Sequence, residues 1–173
     1  MKRISLNSQW DVKAISSDGN ELFFDGTEEN IKIRWHIISP KGNIEYTSQI
    51  INIMAKANLS ESVIDIDNDK IPQNCILVAE AEKDGMLADR AFYKKGKLKI
   101  CPANDKIEVL TNDDIGVKIK AKTYIHAVEV LGEKEFEDNW FSLMPGEIRE
   151  VKCCNASVGK TEISAYTIAD IAE

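Results

Sequence analysis

Hydrophobic and polar residues alternate along most of the chain. Between positions 31 and 38 every odd residue is apolar, and the even residues up to His36 are polar. Because successive side chains of a strand point to opposite faces, this period of two predicts a strand with one buried and one mostly solvated face. Comparable patterns predict strands over residues 10–15, 31–38, 44–54, 62–66, 75–81 and 90–93.

A second series of alternating segments follows Lys94-Lys95-Gly96. It predicts strands over residues 107–111, 115–121, 124–130, 140–143, 149–154 and 162–168. Short strands joined by Gly, Pro, Asn and Asp turns, without helical periodicity, are typical of a sandwich. We therefore predict an all-β fold of two tandem immunoglobulin-like antiparallel β-sandwiches, over residues 1–96 and 97–173.

Residues 136–150 are the most informative segment of the second series. Phe141 and Leu143 share a phase, so they share one face of an extended segment. Pro145-Gly146 then fits the centre of a type II turn, because proline presets φ at the first central position and glycine accepts a positive φ at the second. Alternation resumes from Ile148, and the segment therefore predicts a corner of a β-sandwich.

The same segment carries a family resemblance. The sequence from Asp138 to Glu147 resembles the Asp-Asn-aromatic-Phe-x-Leu-Leu-Pro-Gly-Glu signature of the C-terminal immunoglobulin-like domain of family 2 glycoside hydrolases of the β-mannosidase type. Exo-β-glucosaminidases of that family carry a close relative of it. The matching positions are Asp138, Asn139, Trp140, Phe141, Leu143, Pro145, Gly146 and Glu147. Trp140, Ser142 and Met144 depart from the usual tyrosine or phenylalanine, aspartate and leucine.

The resemblance implies a role without chemistry of its own. Residues 98–168 are similar to the last domain of such enzymes, and residues 32–93 more loosely to the penultimate one. The parent enzyme removes terminal β-mannosyl residues by a retaining mechanism, with two glutamates in an upstream barrel. We therefore expect a non-catalytic accessory region that packs on the parent's catalytic domain. Its signature residues then serve the fold, with no catalytic, cofactor-binding or metal-binding residue.

Composition and charge reduce the number of partner classes that we expect. The chain is 43% hydrophobic and 29% charged, with a net charge of −7 at pH 7. A nucleic-acid binder needs a concentrated basic face, so nucleic acid is not expected. No apolar run approaches the roughly 20 residues that span a bilayer. The four cysteines have no Cys-x-x-Cys spacing and there are two histidines, so no structural zinc site or other cofactor is expected.

Two short motifs fail their full patterns. Gly159-Lys160-Thr161 resembles the end of a phosphate-binding loop, but Cys154 occupies the upstream glycine position and the following residues alternate as a strand. Asp65, Asp67 and Asp69 have the opening spacing of a calcium loop without its later glycine and glutamate. A hairpin turn and ordinary turn acids explain them better.

Candidate catalytic groups also lack the setting they need. Retaining glycosidases use two carboxylates about 5 Å apart in a rigid pocket. Asn20-Glu21 matches the dipeptide of the family's acid/base residue, but it sits in a turn between β segments, and Glu133, Glu135 and Glu137 fall in a predicted loop. His36 is expected on a solvated face and His126 in a strand, neither in a triad. This chain alone is not expected to hydrolyse glycosides, and its compartment stays open.

Carbohydrate binding is the alternative function. Trp10, Trp35 and Trp140 are candidates for a sugar-stacking surface, since aromatic faces suit pyranose rings. Trp35 is in phase with Ile33 and Ile37 and is expected in the core. A free-standing carbohydrate-binding or adhesion module therefore remains beside the accessory role.

Overall fold

The described part of the chain folds mainly into antiparallel β-sheet. The structure, a computed structural model, describes residues 3–5, 29–55, 65–96, 98–133, 135–154 and 161–170. Within those ranges there is no α-helix, and the only helical turns are two 3-10 turns at Asn68–Lys70 and Asn104–Lys106. This confirms the predicted all-β sandwich class, whereas the tandem immunoglobulin-like arrangement stays a prediction.

The strands come in two groups along the chain. The first seven are β1 (Arg3–Ser5), β2 (Glu29–Ile38), β3 (Ile44–Thr47), β4 (Ile51–Ala55), β5 (Asp65–Asp67), β6 (Ile76–Lys83) and β7 (Met86–Lys94). The second seven are β8 (Leu98–Pro102), β9 (Ile107–Asn112), β10 (Gly116–Ala121), β11 (Ile125–Gly132), β12 (Phe141–Leu143), β13 (Ile148–Lys152) and β14 (Thr161–Asp170). Strands β1 and β8 are additions to the predicted set.

Two compact units divide the chain. The first contains Met1–Ile37, Tyr46–Gln73 and Leu77–Tyr93, and the second contains Ile38–Glu45, Asn74–Ile76 and Lys94–Glu173. Local bonds explain why the two short segments join the second unit. The Tyr124 amide donates to the Gly42 carbonyl at 2.7 Å, and the Lys95 amide donates to the Cys75 carbonyl at 3.0 Å. The predicted boundary after residue 96 stays a prediction.

The main sheet of the first unit has the order β3-β2-β6-β7, with β4 also paired to β2. The single strand predicted over 44–54 is wrong, because the chain breaks it at 48–50. There the Ser48 hydroxyl accepts a bond from the Trp35 amide at 3.0 Å, so a side chain replaces the next ladder bond. Asp84 and Gly85 join β6 to β7 with φ of 52° and 80°. Two positive φ values in a two-residue loop are typical of a type I′ hairpin, which extends β7 beyond the predicted 90–93.

The second unit is built from two sheets, with orders β13-β10-β9 and β12-β11-β14-β8. Alternation sends the apolar side chains of both sheets into one core. Its buried members are Ala103, Ile107, Val117, Ile119, Ala121, Ile125, Val128, Val130, Phe141, Leu143, Val151 and Ala165. A close approach fixes one strand pair: a Cβ added at Gly116 meets the Val151 carbonyl oxygen at 2.3 Å.

Candidate functional site

The signature segment forms a corner between the two sheets of the second unit, called here the signature corner (residues 136–150). β12 belongs to one sheet and β13 to the other, and the turn between them changes sheets. The Glu147 amide donates to the Met144 carbonyl at 3.0 Å. Gly146 has a φ of 82°. These are the marks of a type II turn with glycine at the second central position, so the predicted Pro145-Gly146 turn is confirmed.

Asn139 clamps this corner to β11. Its Oδ1 accepts a hydrogen bond from the Val130 amide at 2.8 Å, and its Nδ2 donates to the Val130 carbonyl at 3.0 Å. The same Oδ1 accepts a bond from the Trp140 amide at 2.9 Å. One primary amide thus bonds like a short strand to β11, because it offers both a donor and an acceptor.

Charged side chains of the signature corner form ion pairs and hydrogen bonds with other residues of the corner. Asp138 pairs with Arg149, whose guanidinium carbon lies 4.6 Å from the centre of the Phe141 ring. The Glu147 carboxylate accepts a hydrogen bond from the Met144 amide at 2.7 Å. Phe141 and Leu143 point into the core, as their shared phase predicts. The polar signature residues therefore build and hold the turn.

Trp140 differs from the buried Phe141 and Leu143 because it faces solvent. Its side chain is 58% exposed, and its φ of 59° lies in the left-handed region. A bulky residue there is strained by roughly 1–2 kcal/mol. The indole stacks on Tyr166 of β14, with ring centroids 5.9 Å apart and planes 15° apart. The Tyr166 hydroxyl donates to the Glu129 carboxylate at 3.2 Å. Sequence reasoning singled out neither Tyr166 nor Glu129; their alternation on facing strands was the available signal.

The first unit holds a row of polar side chains across four strands, called here the charge row (Thr47, His36, Glu80 and Arg90). His36 Nδ1 lies 2.9 Å from the Thr47 hydroxyl, and His36 Nε2 lies 3.1 Å from Glu80 Oε2. Arg90 Nη2 donates to Glu80 Oε1 at 2.6 Å. His36 is only 5% exposed, so its predicted place on a solvated face is wrong. Polar neighbours on adjacent strands bury it without leaving it unbonded.

Glu80 stays ionised in this row. Desolvation alone would raise the pKa of the carboxyl, but hydrogen bonds from His36 and Arg90 outweigh burial and lower the pKa to about 2. A general acid for glycoside cleavage needs the opposite shift. Glu80 is therefore an anion that holds the sheet and a poor proton donor at neutral pH.

A shallow pocket lies beside the charge row, with a volume of ≈ 110 Å³. Its lining is Lys32, Arg34, Ile50, Glu80, Glu82 and Leu87. Lys32 Nζ lies 3.6 Å from Glu82 Oε1. Arg34 Nε is buried without a hydrogen-bond partner among the residues that the structure describes. The pocket mixes both signs of charge with two apolar side chains, which leaves no patch of one sign for a charged ligand.

The other sequence candidates do not gather into a site where the structure describes them. Trp35 is partly buried against Tyr46, with ring centroids 4.8 Å apart. His126 lies in β11, where burial and then nearby Lys94 lower its pKa. Glu133, Glu135 and Glu137 are exposed, and so is Asp69. Trp10, Asn20-Glu21, Gly159-Lys160 and the side chains of Asp65 and Asp67 lie outside the described residues.

The secondary structure that begins at Thr161, the last residue of the phosphate-loop motif, tests that motif. Thr161 begins β14, so a strand follows the motif where a phosphate-binding loop needs a helix. Cys75 is buried, as predicted, and none of the four cysteines forms a disulfide. In the part of the chain that the structure covers, no group of three His, Cys, Asp or Glu side chains is placed to hold a metal ion. No helix among the described residues is long and apolar enough to cross a membrane.

Comparison with known proteins adds no relative. No family model matches the sequence, and no curated protein matches it either.

Proposed function

We propose that this chain is the non-catalytic C-terminal accessory region of a family 2 glycoside hydrolase of the β-mannosidase type. The observation that carries the proposal is the use of the signature's polar groups. Asp138 pairs with Arg149, Asn139 bonds to Val130, and Glu147 bonds to the Met144 amide. A motif whose polar side chains bond within its own corner and to the adjacent strand β11 serves the fold, which is the role that the resemblance implies.

The carboxylates of the first unit support the same conclusion. Glu80 and Glu82 line one pocket, but Glu80 bonds to His36 and Arg90, and Glu82 pairs with Lys32. A retaining pair needs one carboxyl that holds a proton near neutral pH. The lowered pKa of Glu80 works against that role. The proposal therefore assigns bond cleavage to a separate catalytic domain, with an exo-β-glucosaminidase as the alternative parent.

The gene upstream of Met1 provides the test. The proposal expects an open reading frame that continues into alternating strands and helices with two glutamates at strand ends, the pattern of a catalytic barrel. Deleting residues 1–173 from that protein should lower its thermal stability, while the isolated chain should not hydrolyse an aryl β-mannoside. An upstream sequence without such a barrel, or clear turnover by the isolated chain, rejects the accessory role.

One observation favours the second candidate, a free-standing carbohydrate-binding module. Trp140 is exposed and stacked, although a core aromatic would face inward. That candidate needs no upstream barrel, so the gene sequence distinguishes the two directly.

A further inference from the structure

Trp140 and Tyr166 form a flat aromatic surface on the outer face of the four-stranded sheet, called here the aromatic platform. The indole and the phenol are nearly parallel, at 15°. One indole face lies against Tyr166, and the side chain is 58% exposed, which leaves the opposite face open to solvent. Tryptophan and tyrosine are enriched at binding interfaces, where one part of the ring is buried and another part is wet.

The platform is held rigidly by its backbone. The Trp140 amide donates to Asn139 Oδ1 at 2.9 Å, and Asn139 is itself bonded to β11. Trp140 adopts a φ of 59° that glycine or asparagine would adopt with less strain. Strain of this kind collects at functional sites when the surrounding structure enforces it. The fold therefore presents an indole at this position at a cost in stability.

The surroundings of the platform select the chemistry of its ligand. Glu129 lies opposite Ser164 and Leu131 opposite Glu162 in the β11–β14 register. With Tyr166, these five outward positions carry two carboxylates and two hydroxyls, and none of the five is lysine or arginine. Carboxylates accept hydrogen bonds from hydroxyl groups and repel anions.

We propose that the aromatic platform binds a neutral saccharide. The C–H face of a pyranose ring would lie on the free indole face, and its hydroxyls would donate to the carboxylates of Glu129 and Glu162. An organic cation fits less well, because cation recognition favours several aromatic faces around one charge. The proposal does not depend on the accessory role, since a free-standing module and an enzyme-linked one would use the platform in the same way.

Calorimetric titration of the full chain tests the proposal. The probes are two neutral hexasaccharides, β-1,4-linked mannohexaose and cellohexaose, with an oligogalacturonate hexamer as the anionic comparator. We expect at least one neutral sugar to bind with a dissociation constant on the order of 1 mM, and the anionic sugar to bind much more weakly. Equal or tighter binding of the anionic sugar contradicts the charge argument and overturns the proposal.

Variants locate the binding. Trp140→Ala should weaken binding about tenfold or more, whereas Trp140→Phe, which keeps a ring, should weaken it less. Tyr166→Phe keeps the stack and loses only the hydroxyl bond to Glu129. Leu110→Ala is the matched control, because Leu110 is 40% exposed on β9 of the other sheet. The Leu110→Ala variant should bind the neutral sugars as tightly as the wild-type chain does.

Three further results would overturn the proposal. The first is that the wild-type chain binds neither neutral sugar. The second is that Trp140→Ala binds as tightly as wild type while folded, which places the site elsewhere. The third is self-association that Trp140→Ala abolishes without any sugar binding, which makes the platform a protein contact. None of these results bears on whether a catalytic barrel lies upstream, so the two proposals fail separately.

Discussion

The charge row and the signature corner satisfy polar groups inside β-structure in different ways. In the charge row, ionisable side chains on three strands and the Thr47 hydroxyl on a fourth bond to one another, and Glu80 and Arg90 are only 13% and 8% exposed. In the signature corner, the neutral amide of Asn139 bonds to the main chain of Val130. The first arrangement fails as a unit when one charge is removed, because its partner is left buried and unpaired.

The difference teaches where the molecule can carry a ligand. The side chains of the buried charge row bond to one another, so few of their hydrogen-bonding groups are available to a ligand. An amide clamp fixes the backbone and releases the next side chain, Trp140, to the surface. We therefore expect the charge row to contribute only to stability, whereas the signature corner contributes to stability through Asn139 and presents Trp140 for recognition.

The largest expected effect comes from breaking the charge row. Arg90→Met removes one of the two partners of Glu80, the permanently charged one, and should lower the free energy of unfolding by about 3 kcal/mol. Lys32→Met is the control in the same sheet, because Lys32 and Glu82 are 54% and 32% exposed. An exposed pair contributes only about 0–1 kcal/mol. Urea unfolding, with amide hydrogen exchange in β2 and β6 as the probe, measures the free energy of unfolding of both variants. Equal losses for Arg90→Met and Lys32→Met would contradict a special role for the buried pair.

Acid should weaken the same region in a defined window. The pKa of Glu80 is about 2 in the folded chain against an ordinary 4.5. Folding therefore favours the ionised form, so its contribution is complete above pH 4.5 and is lost as the pH falls towards 2. The loss is on the order of 2–3 kcal/mol. His36, Arg90 and the Lys32–Glu82 pair face Glu80 or lie beside it.

Glu80→Gln is the comparison for that acid effect. Glutamine has no charge to lose, so the variant should start less stable and show a flatter dependence on pH between 4.5 and 2. Urea midpoints across that range measure the slope. A variant with the same slope as wild type would assign the acid sensitivity to other carboxylates.

Removing the amide clamp should have an intermediate effect. Asn139→Ala leaves the Val130 amide and carbonyl without their side-chain partners and should cost about 2 kcal/mol. Asn112→Ala is the matched control, because the Asn112 Nδ2 makes one exposed bond to the Thr161 carbonyl at 3.3 Å. We expect that control to lose a few tenths of a kcal/mol at most. If both variants unfold at the same urea concentration, Asn139 does not clamp the corner in solution.

The smallest effect is expected at the outer edge of the corner. Arg149→Met removes an ion pair whose side chains are 34% and 37% exposed, together with the contact to Phe141. The loss should be about 1 kcal/mol or less, and it should shrink in high salt. Lys118→Met, whose pair with Glu150 is at 4.0 Å, should change nothing measurable. A loss for Arg149→Met as large as that for Asn139→Ala would mean that charge, not the amide, holds the corner.

Local features of the fold were predictable from the sequence. Alternation located β2, β10 and the core positions of β12, and Pro145-Gly146 predicted its turn from two residues. The break at residues 48–50 was missed, because the Ser48 hydroxyl bonds to Trp35 on a strand that pairing brings close. Alternation reports one face of one strand and says nothing about its partners.

The candidate sites depend on contacts that sequence spacing does not encode. His36 was assigned to solvent because its neighbours Lys32 and Arg34 are polar, and its hydrogen-bond partners Thr47 and Glu80 come from two other strands, β3 and β6. Trp140 was identified as a candidate, but its stacking on Tyr166 depends on the sheet order β12-β11-β14. Long-range pairing therefore decides which polar residues are buried and which aromatic ones meet.

Because the backbone at Trp140 is left-handed, the residue found at position 140 shows whether selection maintains an aromatic ring there. Under random mutation without demand for the ring, replacement by glycine or asparagine relieves strain and exposes no core, so drift should remove tryptophan here early. Phe141 and Leu143, which fill the core, should persist for reasons of folding alone. The frequency of a flat aromatic residue at this position in descendants of the same gene therefore measures how long lineages have needed the surface that it presents.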